Sequence, residues 1–289
     1  MRLAGASTLQ TPVSRRLVPA TFLAVAVVAE LAACGGDPAP PLTVGFAGTL
    51  VQQRFVSSDP QLGIEGADVF VTSSSGAILS QTTTDANGGF FAGGLPKEVP
   101  TALVFSKTPD YARSVFTTDS ESHDSLLFYG AVFEPTIADA EKIVAEYAAA
   151  AGVTSASLMT FDPAATTSTA GAMVRGRVVR LVQTPAGLAY MTVDNATVTV
   201  TDGNGVTYPV FYRGDFPNDS DPGPIDPART KTGTDSRFVA FGIDAKGLST
   251  LPFEAGPVTV SVTVGGTTIT EQTIAVLGGV TELDLFTVP

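Results

Sequence analysis

Side chains able to do chemistry gather in three places along this chain. His123, the single histidine, lies in Asp119-Ser120-Glu121-Ser122-His123-Asp124-Ser125, which collects a base, carboxylates and hydroxyls within a few residues. A nucleophile, its base and the group that orients the base must converge in space, normally from separate segments. Neighbours on one polar turn do not make a triad, so no catalytic residue is assigned there. The second place is Asp215-Phe216-Pro217-Asn218-Asp219-Ser220-Asp221-Pro222-Gly223-Pro224-Ile225-Asp226, where Asp215, Asp219, Asp221 and Asp226 put four carboxylates on a short loop. Calcium takes about six to eight hard oxygen ligands, which such a loop supplies in part, but the spacing matches no EF-hand and has no closing bidentate Glu. The loop is open to three readings: a solvated acidic loop, which is favoured, an interaction loop for a partner, and a structural calcium site. No metal ligand is assigned. An acid/base pair such as Asp215 and Asp219 would have to flank a sugar in a cleft that desolvates one carboxyl, a geometry that loops seldom hold. The third place is Cys34, the single cysteine. With one Cys and one His the chain builds neither an intrachain disulfide nor a Cys/His zinc site.

Composition narrows the function classes. Lys and Arg number 16 against 28 Asp and Glu, a formal charge of −12, which argues against nucleic acid or anionic lipid as a partner for a broad surface. Hydrophobic residues make up 44% and charged residues 15%, with 29 Gly and 20 Pro, too apolar for disorder and too rich in turn residues for a helical protein. A mainly β fold is expected. No Gly-x-Ser-x-Gly elbow, Gly-Lys-Ser/Thr phosphate loop or His-Glu-x-x-His helix occurs, and neither an enzyme activity nor a cofactor is expected.

Residues 1–33 have the layout of a secretory signal: Arg2, Arg15 and Arg16 form a positive n-region and residues 17–31 a short apolar stretch. The stretch ends in Leu31-Ala32-Ala33-Cys34, followed by Gly35-Gly36-Asp37, and this resembles the lipobox of bacterial lipoproteins. The resemblance implies cleavage before Cys34 and diacylglyceryl modification of its thiol, with acylation of the new amino group. Two or three acyl chains hold a protein to a membrane where one does not. Ser14-Arg15-Arg16 also resembles, in its dipeptide, a twin-arginine export signal. Cleavage removes Arg2, Arg15, Arg16 and Glu30 and leaves a mature chain of about −14, which is repelled by anionic headgroups. Residues 34–41, GGDPAPP after the cysteine, form a tether.

From residue 42 onward short β runs alternate with turn signals. Residues 44–51 and 67–72 are strands, with Val69 and Val71 on one face, and Asn87-Gly88-Gly89 supplies a tight turn from which Phe90 or Phe91 returns to the core. Further strands are expected at 102–106, 114–117 and 125–133. Gly48-Thr49-Leu50, Gly66-Ala67-x-Val69-x-Val71, Thr84-Asp85-Ala86-Asn87-Gly88-x-Phe90 and Gly94-Leu95-Pro96 follow one another. This succession resembles the carboxypeptidase regulatory-like and Cna-B-like β-sandwich families, whose fold is similar to transthyretin. The resemblance implies that the Thr-Asp-x-x-Gly-x-Phe stretch is a turn and core anchor, and it carries no function.

A second copy opens at Gly176-Arg177-Val178-Val179. Residues 196–201 match 67–72, Gly205 matches Gly76, and Thr234-Asp235 with Phe238 match Thr84-Asp85 with Phe90. Strict alternation over 258–264, a Gly265-Gly266 turn, a return over 268–276 and a final strand over 280–288 close it. Between the copies, Ile137, Ala140, Ile143, Val144 and Tyr147 recur at helical spacing in a helix that begins after Pro135 and stops at Gly152, with its stripe packed on a sandwich. The expected organisation is 42–133 as the first β-sandwich, 134–172 as a helical joint and linker, and 173–289 as the second β-sandwich with an acidic insertion, both built from Greek-key-like antiparallel sheets. There is no Trp, and Tyr208, Phe211 and Tyr212 make at most a small patch, so a protein partner is favoured over a glycan. The functional expectation is a lipid-anchored, non-enzymatic module of the cell envelope, at the outer membrane or cell surface. It presents β-sandwich loops to another envelope or extracellular component. The alternative is an accessory subunit or a carboxylate-dependent enzyme acting on envelope polysaccharide.

Overall fold

Alternating Val and Thr residues commit most of the chain to pleated strands, one face of which must be buried against another sheet. The computed structural model describes residues 43–52, 62–97, 99–118, 126–161, 171–184, 187–215 and 224–287. Cys34, His123, Asp219 and Asp221 lie outside these residues. The first seven strands are β1 (Thr43–Gln52), β2 (Asp68–Ser73), β3 (Ile78–Thr83), β4 (Gly89–Pro96), β5 (Thr101–Ser106), β6 (Arg113–Thr118) and β7 (Leu126–Glu134). Strand β1 pairs antiparallel with β4 and parallel with β7, and the other four run in the order β3-β2-β5-β6. Phe46, Leu50, Val69, Val71, Leu95 and Phe105 are among the side chains that fill the space between these two layers.

Helices α1 (Ile137–Ala151) and α2 (Ser155–Leu158) follow, and the second set of strands repeats the first arrangement. It comprises β8 (Ala172–Thr184), β9 (Gly187–Thr192), β10 (Thr197–Asp202), β11 (Thr207–Tyr208), β12 (Val210–Arg213), β13 (Ile225–Asp226), β14 (Arg237–Ile243), β15 (Ala255–Val264), β16 (Thr267–Val276) and β17 (Gly279–Thr287). Strand β8 takes the place of β1, antiparallel to β14 and parallel to β17, while β11-β10-β15-β16 takes the place of β3-β2-β5-β6. Alternation in β15 buries Val258, Val260 and Val262, and the Gly265-Gly266 turn has φ of 58° and 88°, as a two-residue hairpin requires. Phe90 is the residue that returns to the first core, 6% exposed, whereas Phe91 is 60% exposed.

The Asn87-Gly88-Gly89 turn joins β3 to β4, which belong to different sheets. It is a crossing between layers. In it, Ala67 N–H donates to Thr84 Oγ1 (2.8 Å) and the Thr84 hydroxyl donates to Ile64 O (2.5 Å). In the second unit Ala196 N–H donates to Thr232 Oγ1 (2.9 Å) and the Thr232 hydroxyl donates to Val193 O (2.8 Å). The repeat register is therefore corrected by two residues: Thr232, six before Phe238, stands where Thr84 stands six before Phe90, and Thr234 does not. The left-handed positions follow the same register, Gly66 (φ 65°) with Asn195 (φ 57°) and Gly88 (φ 77°) with Ser236 (φ 56°).

The two sets of strands are joined edge to edge. Strand β17 pairs parallel with β8 on one side and with β6 on the other, so one sheet runs β13-β12-β14-β8-β17-β6-β5-β2-β3, with β9 on β8. The parallel pairs are a departure from wholly antiparallel sheets, and the alternation of residues does not announce them. Phe70, Ala102, Val104, Val115, Ile274 and Val276 form a buried cluster that closes the outer face of β2, β5 and β6. Thr117 donates to Thr273 (2.6 Å) and Arg113 to Leu277 O (3.2 Å) across the same boundary.

The α1 stripe packs as expected: Ala140, Val144 and Tyr147 are buried with Met173, Val239 and Phe241 of the second unit. Thr136 caps its start by accepting from Asp139 N–H (3.2 Å), and Gly152 ends it in the left-handed conformation. Leu158, Met159 and Phe161, in a stretch expected to be linker, complete this cluster.

Candidate functional site

The acidic insertion is organised at its base. Arg229 reaches Asp215 (3.3 Å) and, more distantly, Asp226 (3.9 Å), while Asp226 caps the following turn by accepting from Ala228 N–H (3.1 Å). Asp215 Oδ1 also accepts from Thr234 N–H (2.9 Å). A Cβ on Gly233 would lie 2.8 Å from Asp215 Oδ1 and 2.0 Å from Arg229 Nη1, so the missing side chain admits both groups. In the first unit the corresponding position is Asp85, whose own Oδ1 accepts from Asn87 and Gly89 N–H at 2.8 Å each. Asp215 thus sets a carboxylate beside the turn at Gly233, on the Thr234 N–H and not on the N–H groups two and four residues on that Asp85 takes in the first unit. The Thr234 and Arg229 donors hold the Asp215 carboxyl below its ordinary range. Among the described residues no group of three or more His, Cys, Asp or Glu is placed to hold a metal ion.

The three aromatics beside the insertion do not form a patch. The buried Tyr212 hydroxyl accepts from Val198 N–H (2.9 Å), Tyr208 donates to Asp202 (2.9 Å) and accepts from Asp244 N–H (2.9 Å), and Phe211 stacks edge-on with Tyr147 and Phe241. All three support the sheet.

A groove that no sequence signal marked lies on the outer face of β17, β8, β14 and β12, alongside α1, and encloses about 570 Å³. Period-two alternation puts Met173, Arg175 and Arg177 on one face of β8, where the first lies under α1 and the two arginines continue beyond the helix. Arg237 on β14 and Arg213 on β12 join them, with Tyr147 and Glu146 of α1 as one wall. The in-register parallel pairing of β8 and β17 sets Arg175 opposite Glu282 (2.9 Å) and Arg177 opposite Asp284, the latter in a two-pronged contact of 2.6 and 3.0 Å. Arg237 pairs with the buried Asp235 (3.3 Å), and Arg213 lies 3.9 Å from Glu146 and 5.8 Å from the Tyr147 ring centroid. Burial pushes the Tyr147 phenol up, against the pull of the Arg213 cation. The hydrogen bonds that Arg177 donates to the Asp284 carboxylate push its pKa further up. Beyond Asp284 on the same face, Phe286 meets Tyr190 of β9 at 5.7 Å between ring centroids, and the two remain 49% and 70% exposed.

The fold and this face define a mainly β protein of two β-sandwich units that share a sheet. No family model matches the chain and no curated protein matches it in sequence. Among solved structures it is similar to the TIE protein of Bacillus anthracis, with 12% identity and a TM-score of 0.26 over 84% of this chain and 34% of that one. It is also similar to the shaft pilin spaA of Lactobacillus rhamnosus GG, with 8% identity and a TM-score of 0.24 over 86% of this chain and 98% of that one. The fimbrial anchor protein Mfa2 of Porphyromonas gingivalis shows 12% identity and a TM-score of 0.26 over 80% and 82%. The chain spans about a third of the length of the TIE protein that it matches. At these scores the likenesses assign no role to the chain.

Proposed function

We propose that the chain is a non-enzymatic, lipid-anchored protein of the cell envelope whose two β-sandwiches present loops and sheet faces to a protein or surface partner. The observation that supports this most is the β6–β17 pairing, which makes the two units one continuous scaffold. A stiff scaffold preorganises its display surface, and less ordering entropy is then lost on binding. The Leu31-Ala32-Ala33-Cys34 segment supports anchoring through Cys34, and Gly35 after it supports delivery to the outer membrane or cell surface. A tether confines the scaffold to a surface, so that weak contacts act at high effective concentration. Asp215 and Asp226 share one guanidinium at the foot of the loop, and Asp215 is 61% exposed, the opposite of the desolvated carboxyl that acid catalysis needs.

The test is protease shaving of intact and lysed cells, repeated with Cys34→Ala. Digestion in intact cells, with release of the Cys34→Ala protein from the membrane fraction, is the expected result. Protection until lysis would move the module to the periplasm, and membrane retention of the variant would remove the lipid anchor.

A further inference from the structure

We propose that the groove beside α1 binds a short, uncharged oligosaccharide, held by the paired arginines and carboxylates and stacked on Tyr190 and Phe286. This rests on the reading of the chain as a non-catalytic binding module and names the ligand class of one of its faces.

Charge balance selects the ligand. Arg175, Arg177 and Arg213 are matched by Glu282, Asp284 and Glu146 on the groove surface, and Arg237 by Asp235 buried beneath it, so the formal charges of the face and its support cancel within a strongly acidic chain. A polyanion gains nothing from a neutral groove and is repelled by the rest of the molecule. A polyol gains directly. Guanidinium forks donate only and ionised carboxylates accept only, so together they answer both halves of a sugar hydroxyl. Each pair also holds its partner's plane in place, most firmly in the two-pronged Arg177–Asp284 contact.

The arrangement costs the bare fold something, which argues that it is not incidental. Arg177 and Arg237 are directly opposite on β8 and β14, and like charges in that relation destabilise a sheet. Phe286 lies one same-face step beyond Asp284, and Tyr190, opposite Leu181, lies two beyond Arg177; both leave apolar ring faces in water. Ring faces of this kind stack on the C–H face of a sugar, and the groove volume falls in the range of about 300–1,000 Å³ typical of small-ligand sites.

The test uses the full-length chain in a detergent without a sugar headgroup, probed by saturation-transfer NMR with cellotetraose, maltotetraose, mannotetraose and tetragalacturonate at millimolar concentration. At least one neutral tetraose is expected to show transfer concentrated on its ring C–H protons. Tyr190→Ala, at an exposed position, and Asp284→Asn, at a half-buried one, are each expected to weaken that binding about five- to tenfold with an unchanged circular dichroism spectrum. Absence of transfer from every neutral probe, or affinity unaltered in both variants, would overturn the proposal and leave the envelope-module reading untouched. Preference for tetragalacturonate that falls with added salt would overturn the uncharged-ligand assignment. Shortening of a bound tetraose on chromatography would overturn the non-catalytic reading itself.

Discussion

The hydroxyls of Thr84 and Thr232 do the same work in the two units: each is buried, accepts one backbone N–H and donates to one carbonyl, locking the entry of the second strand to the crossing turn. Replacing either by Val leaves buried backbone groups without a partner. Thr84→Val and Thr232→Val are each expected to lower stability by about 1–3 kcal/mol in urea denaturation, with Ser restoring most of it. Asp215 acts differently, at the surface and through charge. Its folded-state pKa lies below the ordinary 3.8, so the stability that it contributes is fully present above that value and is lost as pH falls through the lowered one. Asp215→Asn should therefore reduce the melting temperature at neutral pH and flatten the acid-side slope of a melting-temperature profile. A variant with the slope of the parent would remove this role. The carboxylates were legible as a cluster, but the job of Asp215 was not, because its partners Arg229 and Thr234 lie 14 and 19 residues further on and only the folded loop brings them to it.

At the scale of elements, α1 was readable from end to end, since its apolar spacing and its stop at Gly152 are local properties. The cap itself is Thr136, whose hydroxyl accepts from Asp139 N–H and donates back to the Asp139 carboxylate (2.7 Å). Thr136→Ala is expected to cost about 0.5–2 kcal/mol, seen as a lower urea midpoint. The same change should speed hydrogen exchange in the first turn of α1, at the end away from the Tyr147 wall. Strand β15 followed its alternation, whereas β1, β8 and β16 each bury runs of consecutive residues. The two-residue strands β11 and β13 did not stand out, because two residues cannot display a period.

Across the whole molecule, the boundary between the sandwiches is built as a core. Phe253 sits edge-on to Phe70 (5.7 Å) and beneath the Arg113 guanidinium (4.6 Å). Burial there holds Arg113 below its ordinary value. The Gly76 turn belongs to the boundary as well: a Cβ there would lie 2.5 Å from Leu248 Cδ1, and Thr250 donates to Gly76 O, whereas the matching Gly205 faces open space. The two units are accordingly expected to unfold together, with calorimetric and van't Hoff enthalpies equal. Phe253→Ala should lower stability by about 1–3 kcal/mol and split the transition in two. A parent chain that already melts in two steps would show that the shared sheet does not couple the units.

The sequence by itself determined what depends on neighbours along the chain: strand alternation, the glycine turns, the helix and its stop, and the existence of a second copy. Its register could not be settled locally, because Thr232 and Thr234 are both threonines near Phe238 and only the hydrogen bonds to Ala196 and Val193 tell them apart. Tertiary structure alone decided the parallel β6–β17 seam, the burial of Phe70 and Val104 between units, and the meeting of Arg175, Arg177, Arg213 and Arg237. These four arginines come from three strands, and pairing between strands distant in sequence is fixed by which faces pack together. That choice is made by the assembled core and by no single segment.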